Sequence, residues 1–350
     1  MTESIPPCMT MELVNVFDYE NLAKMRMDPG TWAYFAGGSD DEVTLRANRR
    51  AFERVQLRPR MLVDVSVINM QTSVIGTPVN MPILIAPVGF QGLAHPNGEC
   101  ATVRAIGPTG SLMVVSTFAS RALEEIAQVA TGPLWFQLSA PDRMWTERLV
   151  QRAEYAGYRA IVVTVDAPRN GNKERVTRQG FHLPTYKANF GNEPLGNNFT
   201  SLPTWDSLAW LRSLTSLAIV LKGILTAEDA HLAVEHGMDG IIVSNHGGRQ
   251  LDGVPPTLEV LTEIVEAVNG RCEVYIDSGF RRGTDVLKAL ALGARAVLVG
   301  RPVIWGLAVG GTDGVISILE MLGAELEQAM ALAGRPTLND IDHTLLKMPS

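Results

Sequence analysis

The chain has 350 residues, of which 46% are hydrophobic and 19% charged, and carries a formal net charge of −7. That balance belongs to a globular protein with a large core, and an acidic chain without a long basic run speaks against a nucleic-acid partner. Three widely spaced cysteines, Cys8, Cys100 and Cys272, exclude a disulfide framework or a Cys-x-x-Cys metal site and point to a reducing compartment, the cytoplasm.

The opening "MTESIPPCMTMELVNVFDYE" has no basic stretch followed by an apolar one, so no signal peptide is expected. No apolar run approaches the roughly 20 residues that span a bilayer, and no membrane partner is expected. In residues 1–80, "YENLAKMRM" and "DEVTLRANRRAFERV" predict helices joined by "TWAYFAGGSDD". The segment is too polar to bury itself and reads as a helical lid or plug. Eight short β-rich runs follow, each trailed by a helix-like stretch. They are "MPILIAP" (81–87), "SLMVVST" (111–117), "LWFQL" (134–138), "AIVVTVD" (160–166), "AIVLKG" (218–223), "GIIVSNH" (240–246), "EVYIDSG" (273–279) and "AVLVGRP" (296–302). They are almost continuously apolar, as strands covered on both faces should be. The stretch "TAEDAHLAVEHG" has an N-cap threonine and a terminal glycine, and "RGTDVLKALALG" repeats that design. The fold class is therefore α/β, a (β/α)8 TIM barrel over 81–334, with an N-terminal helical segment and a tail over 335–350, all in one domain. A doubly wound open sheet is the alternative. The Asn-, Gly- and Pro-rich "KANFGNEPLGNNFTSLP" (187–203) reads as a long, mobile loop at the barrel's mouth.

In such a barrel the site lies at the C-terminal ends of the strands. Gln137 closes the third run, Thr164 and Asp166 the fourth, and Lys222 the fifth. Ser244, His246 and Arg249 follow the sixth, Asp277, Gly279 and Arg281 the seventh, and Gly300 and Arg301 the eighth. Arginines and glycines after the last two strands suit a phosphate. A lysine deep at a strand end calls for an anion. An Asp166–His246 pair would fix the imidazole tautomer and stabilise its protonated form. Arg249 is left for a substrate carboxylate. Together these suggest redox chemistry at a carbon beside a carboxylate, without identifying flavin.

The stretch "SNHGGRQLD" resembles the signature of the FMN-dependent 2-hydroxy-acid oxidase family, which includes glycolate oxidase, lactate oxidase and mandelate dehydrogenase. The likeness runs in one order through "YFAGGSDDEVTLRANRRAF", "ILIAPVGFQGLAHPNGE", "LKGILTAEDA", "DSGFRRGTDVLKALALGA" and "VLVGRPV". It implies FMN as cofactor and oxidation of an (S)-2-hydroxy acid to a 2-oxo acid, with O2 as the acceptor that leaves as H2O2. It also implies a homotetramer. His246 matches the family's base and Asp166 its partner, and Lys222 the lysine near the flavin's N1 and C2=O. Arg249 and Tyr34 match the carboxylate-binding groups. Ala86, Pro87 and Val88 match the segment along the flavin ring, and Ser116, Gln137 and Thr164 its edge, with Ser244 nearby. Asp277, Gly279, Arg281, Gly300 and Arg301 match ribityl and phosphate contacts.

Three pocket positions depart from the family pattern. Ser139 stands where a tyrosine usually follows "WFQL", Phe118 where tryptophan or a small residue is common, and Lys173 where many members have arginine. The first widens the pocket and favours longer or aryl side chains, whereas the "GN" before Lys173 resembles the lactate-oxidase branch. A lactate-like or larger 2-hydroxy acid is the expected substrate. The rival readings are a dehydrogenase or monooxygenase on the same scaffold, or a flavin-binding protein that has lost turnover. No His/Asp/Glu cluster has metal spacing, so no metal is expected. His95, His182, His231, His236 and His343 read as structural or solvated, and Arg282 as solvated. Asp64, Asp142 and Glu124–Glu125 read as helix starts or solvated faces. Met25, Met27 and "ILEMLGAELEQAMALAG" read as core packing.

Overall fold

The eight apolar runs become eight parallel strands. The computed structural model describes residues 13–191 and 204–347. Its barrel strands are β1 (Ile83–Ile85), β2 (Met113–Ser116), β3 (Leu134–Leu138), β4 (Ala160–Thr164), β5 (Ala218–Ile224), β6 (Gly240–Val243), β7 (Glu273–Ile276) and β8 (Ala296–Val299). They pair in chain order, and β8 returns to β1 with Val297, Leu298 and Val299 opposite Ile83, Leu84 and Ile85. That closure decides for the (β/α)8 barrel over the open sheet.

The strands are apolar throughout because both faces are covered. One buried cluster takes Leu84, Val114, Trp135, Val162, Val220, Ile242, Tyr275 and Leu298, one from each strand, and fills the barrel. Their neighbours along the strands, such as Ile83, Val115, Phe136 and Ile241, join the larger cluster under the helices. Thr226 caps the helix Ala227–Glu235 by accepting from the Asp229 N–H, as its sequence predicts. The helix Gly283–Ala291 starts differently from its expected twin. Thr284 is not its cap, and Asp285 Oδ2 instead accepts the N–H groups of Arg281 and Arg282 at 2.9 and 3.0 Å.

The N-terminal segment departs from its reading in two places. The expected linker contains a helix of its own, so the segment has α1 (Val16–Arg26), α2 (Pro29–Ala36) and α3 (Val43–Arg54). Asp28 Oδ1 caps α2 by accepting from Gly30 and Thr31, and Pro29 stands at its first position. Trp32 of α2 stacks on the buried Trp305, with centroids 4.7 Å apart. Residues 72–79 are a β-hairpin rather than helical plug, with Thr72–Val74 antiparallel to Thr77–Val79. Val74 and Val79 pack into the interior cluster, so this hairpin closes one end of the barrel. Ile75 N–H donates to Glu273 Oε2 at the start of β7, which places the hairpin at the N-terminal end.

Met25 is exposed rather than packed in the core, whereas Met27 packs against it. Asp142 does start a helix, accepting from Trp145 N–H, but Asp64 holds only a turn through Ser66. Glu124 and Glu125 lie in the first turn of Leu123–Gln128, and Glu124 pairs with Arg152 at 2.7 Å. Arg282 is not a solvated arginine: it pairs with Glu325 at 2.7 Å and lies over the Phe17 ring. The expected loop 187–203 is described only to Gly191, and that part is pinned. Buried Asn189 accepts from Leu123 N–H and donates to the Thr117 carbonyl, each at 2.9 Å. Residues 192–203, like Cys8, lie outside the described residues.

The last helical stretch, Arg301–Ala333, breaks at Gly310 and Gly311, whose backbone is not helical. By length and composition it is apolar enough to cross a membrane, which short runs in the sequence do not reveal, and 61% of its most apolar window is buried inside the protein. Leu319, Leu322, Leu326 and Met330 are buried, as the pattern "ILEMLGAELEQAMALAG" predicts.

Candidate active site

The C-terminal ends of the strands open into a cavity of ≈ 1530 Å³. Tyr34, Ala86, Pro87, Val88, Ser116, Phe118, Gln137, Ser139, Thr164 and Lys173 all line it. So do Lys222, His246, Arg249, Asp277, Gly279, Arg281, Gly300 and Arg301. Of the residues singled out in the sequence, only Asp166 and Ser244 stand behind this wall, and each holds a residue that does not.

His246 begins a turn of three left-handed residues after β6, with φ of 57° at His246, 66° at Gly247 and 72° at Gly248. Such a conformation costs a side-chain-bearing residue about 1–2 kcal/mol. The turn is held by its N–H groups: His246 donates to Ser244 Oγ at 3.1 Å, Gly247 to Ser278 Oγ at 3.0 Å, and Gly248 to Asn245 Oδ1 at 3.2 Å. Glycine is required twice. A Cβ on residue 247 would lie 2.6 Å from an Arg301 nitrogen, and one on residue 248 would lie 2.6 Å from the Leu45 backbone nitrogen.

The imidazole Nδ1 lies 3.0 and 3.2 Å from the two oxygens of Asp166. That assigns Nδ1 as the donor and leaves Nε2 as an acceptor facing the cavity. Burial pushes Asp166 up, but His246 and Lys222 outweigh it and hold the carboxyl below its ordinary value. Burial pushes His246 down, and the charges of Lys222 and Arg249 add to that against the pull of Asp166. The ring is therefore held ready as a neutral base, a net effect opposite to the stabilised imidazolium expected from the pair alone.

Lys222, buried at the end of β5, donates to Ser244 Oγ at 2.9 Å and lies 3.3 Å from Asp277 Oδ2. Burial works against its charge, but Asp277 and then Asp166 win, and its pKa is raised. The lysine is thus a fixed cation under the cavity. Arg249 uses one nitrogen, Nη1, for the carbonyls of Tyr34 and Gly37, and its guanidinium lies 5.0 Å from the centre of the Tyr34 ring. Its remaining N–H groups are available for a carboxylate in the cavity.

A further cationic group lies where β7 and β8 end. Arg281, 8% exposed, faces Glu20 Oε2 at 3.6 Å and donates to the Phe280 carbonyl. Arg301 donates to the carbonyls of Phe35, Gly247 and Gly37. Burial, then the like charges of Arg249 and Arg281, push Arg301 well below the ordinary arginine range. Gly300 precedes Arg301 at the start of its helix.

Residues 23–348 match the model of the FMN-dependent dehydrogenase family. The chain belongs to this family. It is 50% identical to L-lactate oxidase of Nostoc sp., over 96% of this chain and 98% of that protein. It is 46% identical to glycolate oxidase of Spinacia oleracea, over 95% of each. Mandelate oxidase solved with 3,3-difluoro-2-hydroxy-3-phenylpropionic acid superposes with a TM-score of 0.90 at 46% identity, over 97% of this chain and 100% of the other. The fold, the FMN cofactor and the class of enzyme, a 2-hydroxy-acid oxidase, follow from that membership.

The FMN-dependent dehydrogenase fold presents residues here that fit the cofactor. Buried Arg281 and half-buried Arg301, with Glu20 the one carboxylate in ion-pair reach of their guanidinium groups among the described residues, call for an anion, and the terminal phosphate of FMN would supply one. Arg301 still has two of its five N–H groups uncommitted after its three carbonyls. Ser116 Oγ donates to Gln137 Oε1 at 3.1 Å, and Gln137 Nε2 donates to Thr164 Oγ1 at 3.0 Å. This chain of polar groups suits the heteroatom edge of a flavin, and Lys222 suits the negative charge a reduced flavin bears. The backbone from Ala86 to Val88 would flank the ring.

The cavity also has walls that the sequence did not reveal. Phe90, with φ of 56°, stacks on Phe118 at 6.2 Å, and Lys187 Nζ lies 5.7 Å from the Phe118 ring centre. His182, expected to be structural or solvated, lines the cavity beside Phe181 and Tyr186. The signal available was only that "FHLPTYK" follows the fourth strand's loop. The other described histidines serve elsewhere: His236 stacks on Trp205, and His95 accepts from Asn97 N–H.

Proposed function

We propose that this enzyme oxidises (S)-2-hydroxy acids of lactate size or larger to 2-oxo acids, and that O2 takes up the electrons and leaves as H2O2. The observation that carries the reading is His246, its Nδ1 committed to Asp166 and its Nε2 turned to a cavity that Arg249 also lines. The substrate's carboxylate lies on Arg249 and orients C2 toward His246 Nε2, which accepts a proton from the substrate. FMN supplies the two-electron acceptor when bound. Lys222 in the cavity wall would supply positive charge to the flavin, and Asp166 holds the imidazolium that proton uptake creates. Overall two electrons and two protons leave the hydroxy acid, which balances reduction of O2 to H2O2.

Ser139 and Phe118 support the preference for size. A serine in place of a phenol leaves space in the cavity wall, and the Phe118 ring offers an apolar face. Each methylene buried there contributes about 0.8 kcal/mol. The relatives named lactate, glycolate and mandelate oxidase span that range of side chains. Oxygen uptake and H2O2 yield with glycolate, lactate, 2-hydroxyoctanoate and mandelate test both parts. One H2O2 per 2-oxo acid is expected, with kcat/KM for glycolate the lowest. H2O2 far below the 2-oxo acid formed points instead to a dehydrogenase. Work in the cytoplasm as a homotetramer is part of the same proposal. The free thiols of Cys100 and Cys272 and the exposed Met61, Leu62 and Val67 support it. Light scattering of the purified protein tests the assembly.

A further inference from the structure

A row of rings runs along the cavity from Arg249. The Arg249 guanidinium lies 5.0 Å from the Tyr34 ring centre, and Tyr34 meets Phe90 edge-on at 6.2 Å. Phe90 in turn stacks on Phe118 at 6.2 Å, 15° from parallel. All of them line the cavity. Phe90 and Phe118 come from the loops after β1 and β2, which touch without side chains between them. A Cβ on Gly89 would lie 3.0 Å from Phe118 Cβ, and one on Gly92 would lie 2.8 Å from Ser120 Oγ.

Phe90 is left-handed, with φ of 56° and ψ of 38°, a conformation that a bulky residue adopts only when its surroundings impose it. Three successive N–H groups impose it. Phe90 donates to the Phe118 carbonyl at 2.9 Å, Gln91 to Glu99 Oε1 at 3.0 Å, and Gly92 to Ser120 Oγ at 2.8 Å. Ser120 N–H donates to the same Glu99 oxygen at 2.9 Å, so one atom holds both loops. Glu99 is fully buried and is not among the residues that line the cavity. It stands in the first turn of Gly98–Val103, where a carboxylate can serve its own helix alone, but its Oε1 reaches past that helix to the two loops. Its Oε2 has no hydrogen-bond partner among the described residues, and burial pushes the carboxyl up. A buried carboxyl with one oxygen unused is costly, which gives weight to what the other oxygen holds. Gln91 carries the tie further. Its Oε1 accepts from Thr102 Oγ1 at 2.6 Å, and its Nε2 donates to the Val88 carbonyl at 3.3 Å.

We propose that Glu99 is a positioning residue for substrate choice: it holds the Phe90 and Phe118 rings in one wall, along which the substrate's side chain lies. This rests on the 2-hydroxy-acid reading of the site. A substrate carboxylate on Arg249 stands at the Tyr34 end of the row, so its side chain runs toward Phe118. A phenyl or long alkyl group gains from both rings, whereas a methyl group reaches less of them. Losing the tie frees the Phe90 turn and splays the wall, which costs a large side chain more than a small one. A glutamine keeps an acceptor at the same atom and keeps the wall.

The test is binding of 2-oxo acids to the oxidised, FMN-loaded protein, read from flavin absorbance without turnover. Pyruvate probes the carboxylate end, and benzoylformate adds a ring. Glu99→Met matches the side chain's length but removes the acceptor. Its ratio of benzoylformate Kd to pyruvate Kd should rise roughly tenfold over the parent's, the loss of about one ring–ring contact. Glu99→Gln should restore the parent ratio. Ser120→Ala, which removes only the acceptor for Gly92, should shift the ratio the same way by less, and it serves where Glu99→Met does not fold. A fold that merely needed Glu99 would melt earlier, or lose affinity for both acids alike, with the ratio unmoved. An unmoved ratio in folded Glu99→Met, or in Ser120→Ala if that variant alone folds, overturns the inference while leaving the proposed function standing. So does a Glu99→Gln ratio displaced as far as that of Glu99→Met, or a parent that binds pyruvate and refuses benzoylformate. Loaded parent that binds neither acid overturns the 2-hydroxy-acid reading, and the inference with it.

Discussion

His246 has to be a neutral base in a place that also has to stabilise its protonated form. Asp166 serves the second need, and burial with Lys222 and Arg249 serves the first. Because the net displacement is downward from 6.5, catalysis should be retained above that value and fall away only as pH drops below it. A kcat/KM profile with its acidic limb above pH 6.5 would contradict this balance. His246→Gln should keep FMN and slow flavin reduction by about 10²–10⁴-fold, the usual scale for a positioned base. Reduction at the parent rate would remove His246 from that role. Ser139→Tyr restores a ring in the cavity wall and should shift kcat/KM toward glycolate and away from mandelate. An unchanged ranking would mean that this position does not set size. The polar strand-end residues were legible in the sequence because eight apolar runs each end in one. The tie at Glu99 was not, since it depends on one oxygen meeting N–H groups on two loops that only the folded barrel brings together.

The strands were legible because burial on both faces makes them continuously apolar. Two elements escaped that logic. In α2, "PGTWAYFA" carries glycine and aromatic residues and almost no polar face, so helical periodicity does not show. The hairpin strands are three residues each, one of them holding Pro78, too short for alternation to register. The broken last helix offers a direct check. Gly311 has φ of 58° and meets His95 Nε2 at 3.1 Å from where a Cβ would stand. Gly311→Ala should destabilise the protein by roughly 1–2 kcal/mol, the cost of a left-handed alanine. A urea midpoint equal to the parent's would show that the helix runs straight there.

Across the whole molecule, the barrel gathers charge at one end. Lys222, Arg249, Arg281 and Arg301 face Asp277 alone among the lining carboxylates, with Asp166 behind His246. That surplus suits a phosphate and a carboxylate, the two anions of the proposed reaction. Lys222→Met leaves Asp277 buried without its cation, and breaking such a pair costs about 3–5 kcal/mol. FMN should shield part of that loss, so apo protein should lose more stability than holo protein on this substitution. Equal losses would argue that Lys222 does not lie against the flavin. Closure of the barrel decided the fold, and it is a property of pairing that periodicity alone does not contain. The central claim is that this site passes electrons from a 2-hydroxy acid to FMN. The most direct measurement is anaerobic titration of FMN-loaded protein with (S)-lactate, followed in the flavin absorbance. Full bleaching, with one pyruvate formed per flavin, is the predicted result. Loaded protein that stays yellow with (S)-lactate, and with glycolate, 2-hydroxyoctanoate and mandelate in turn, would contradict it.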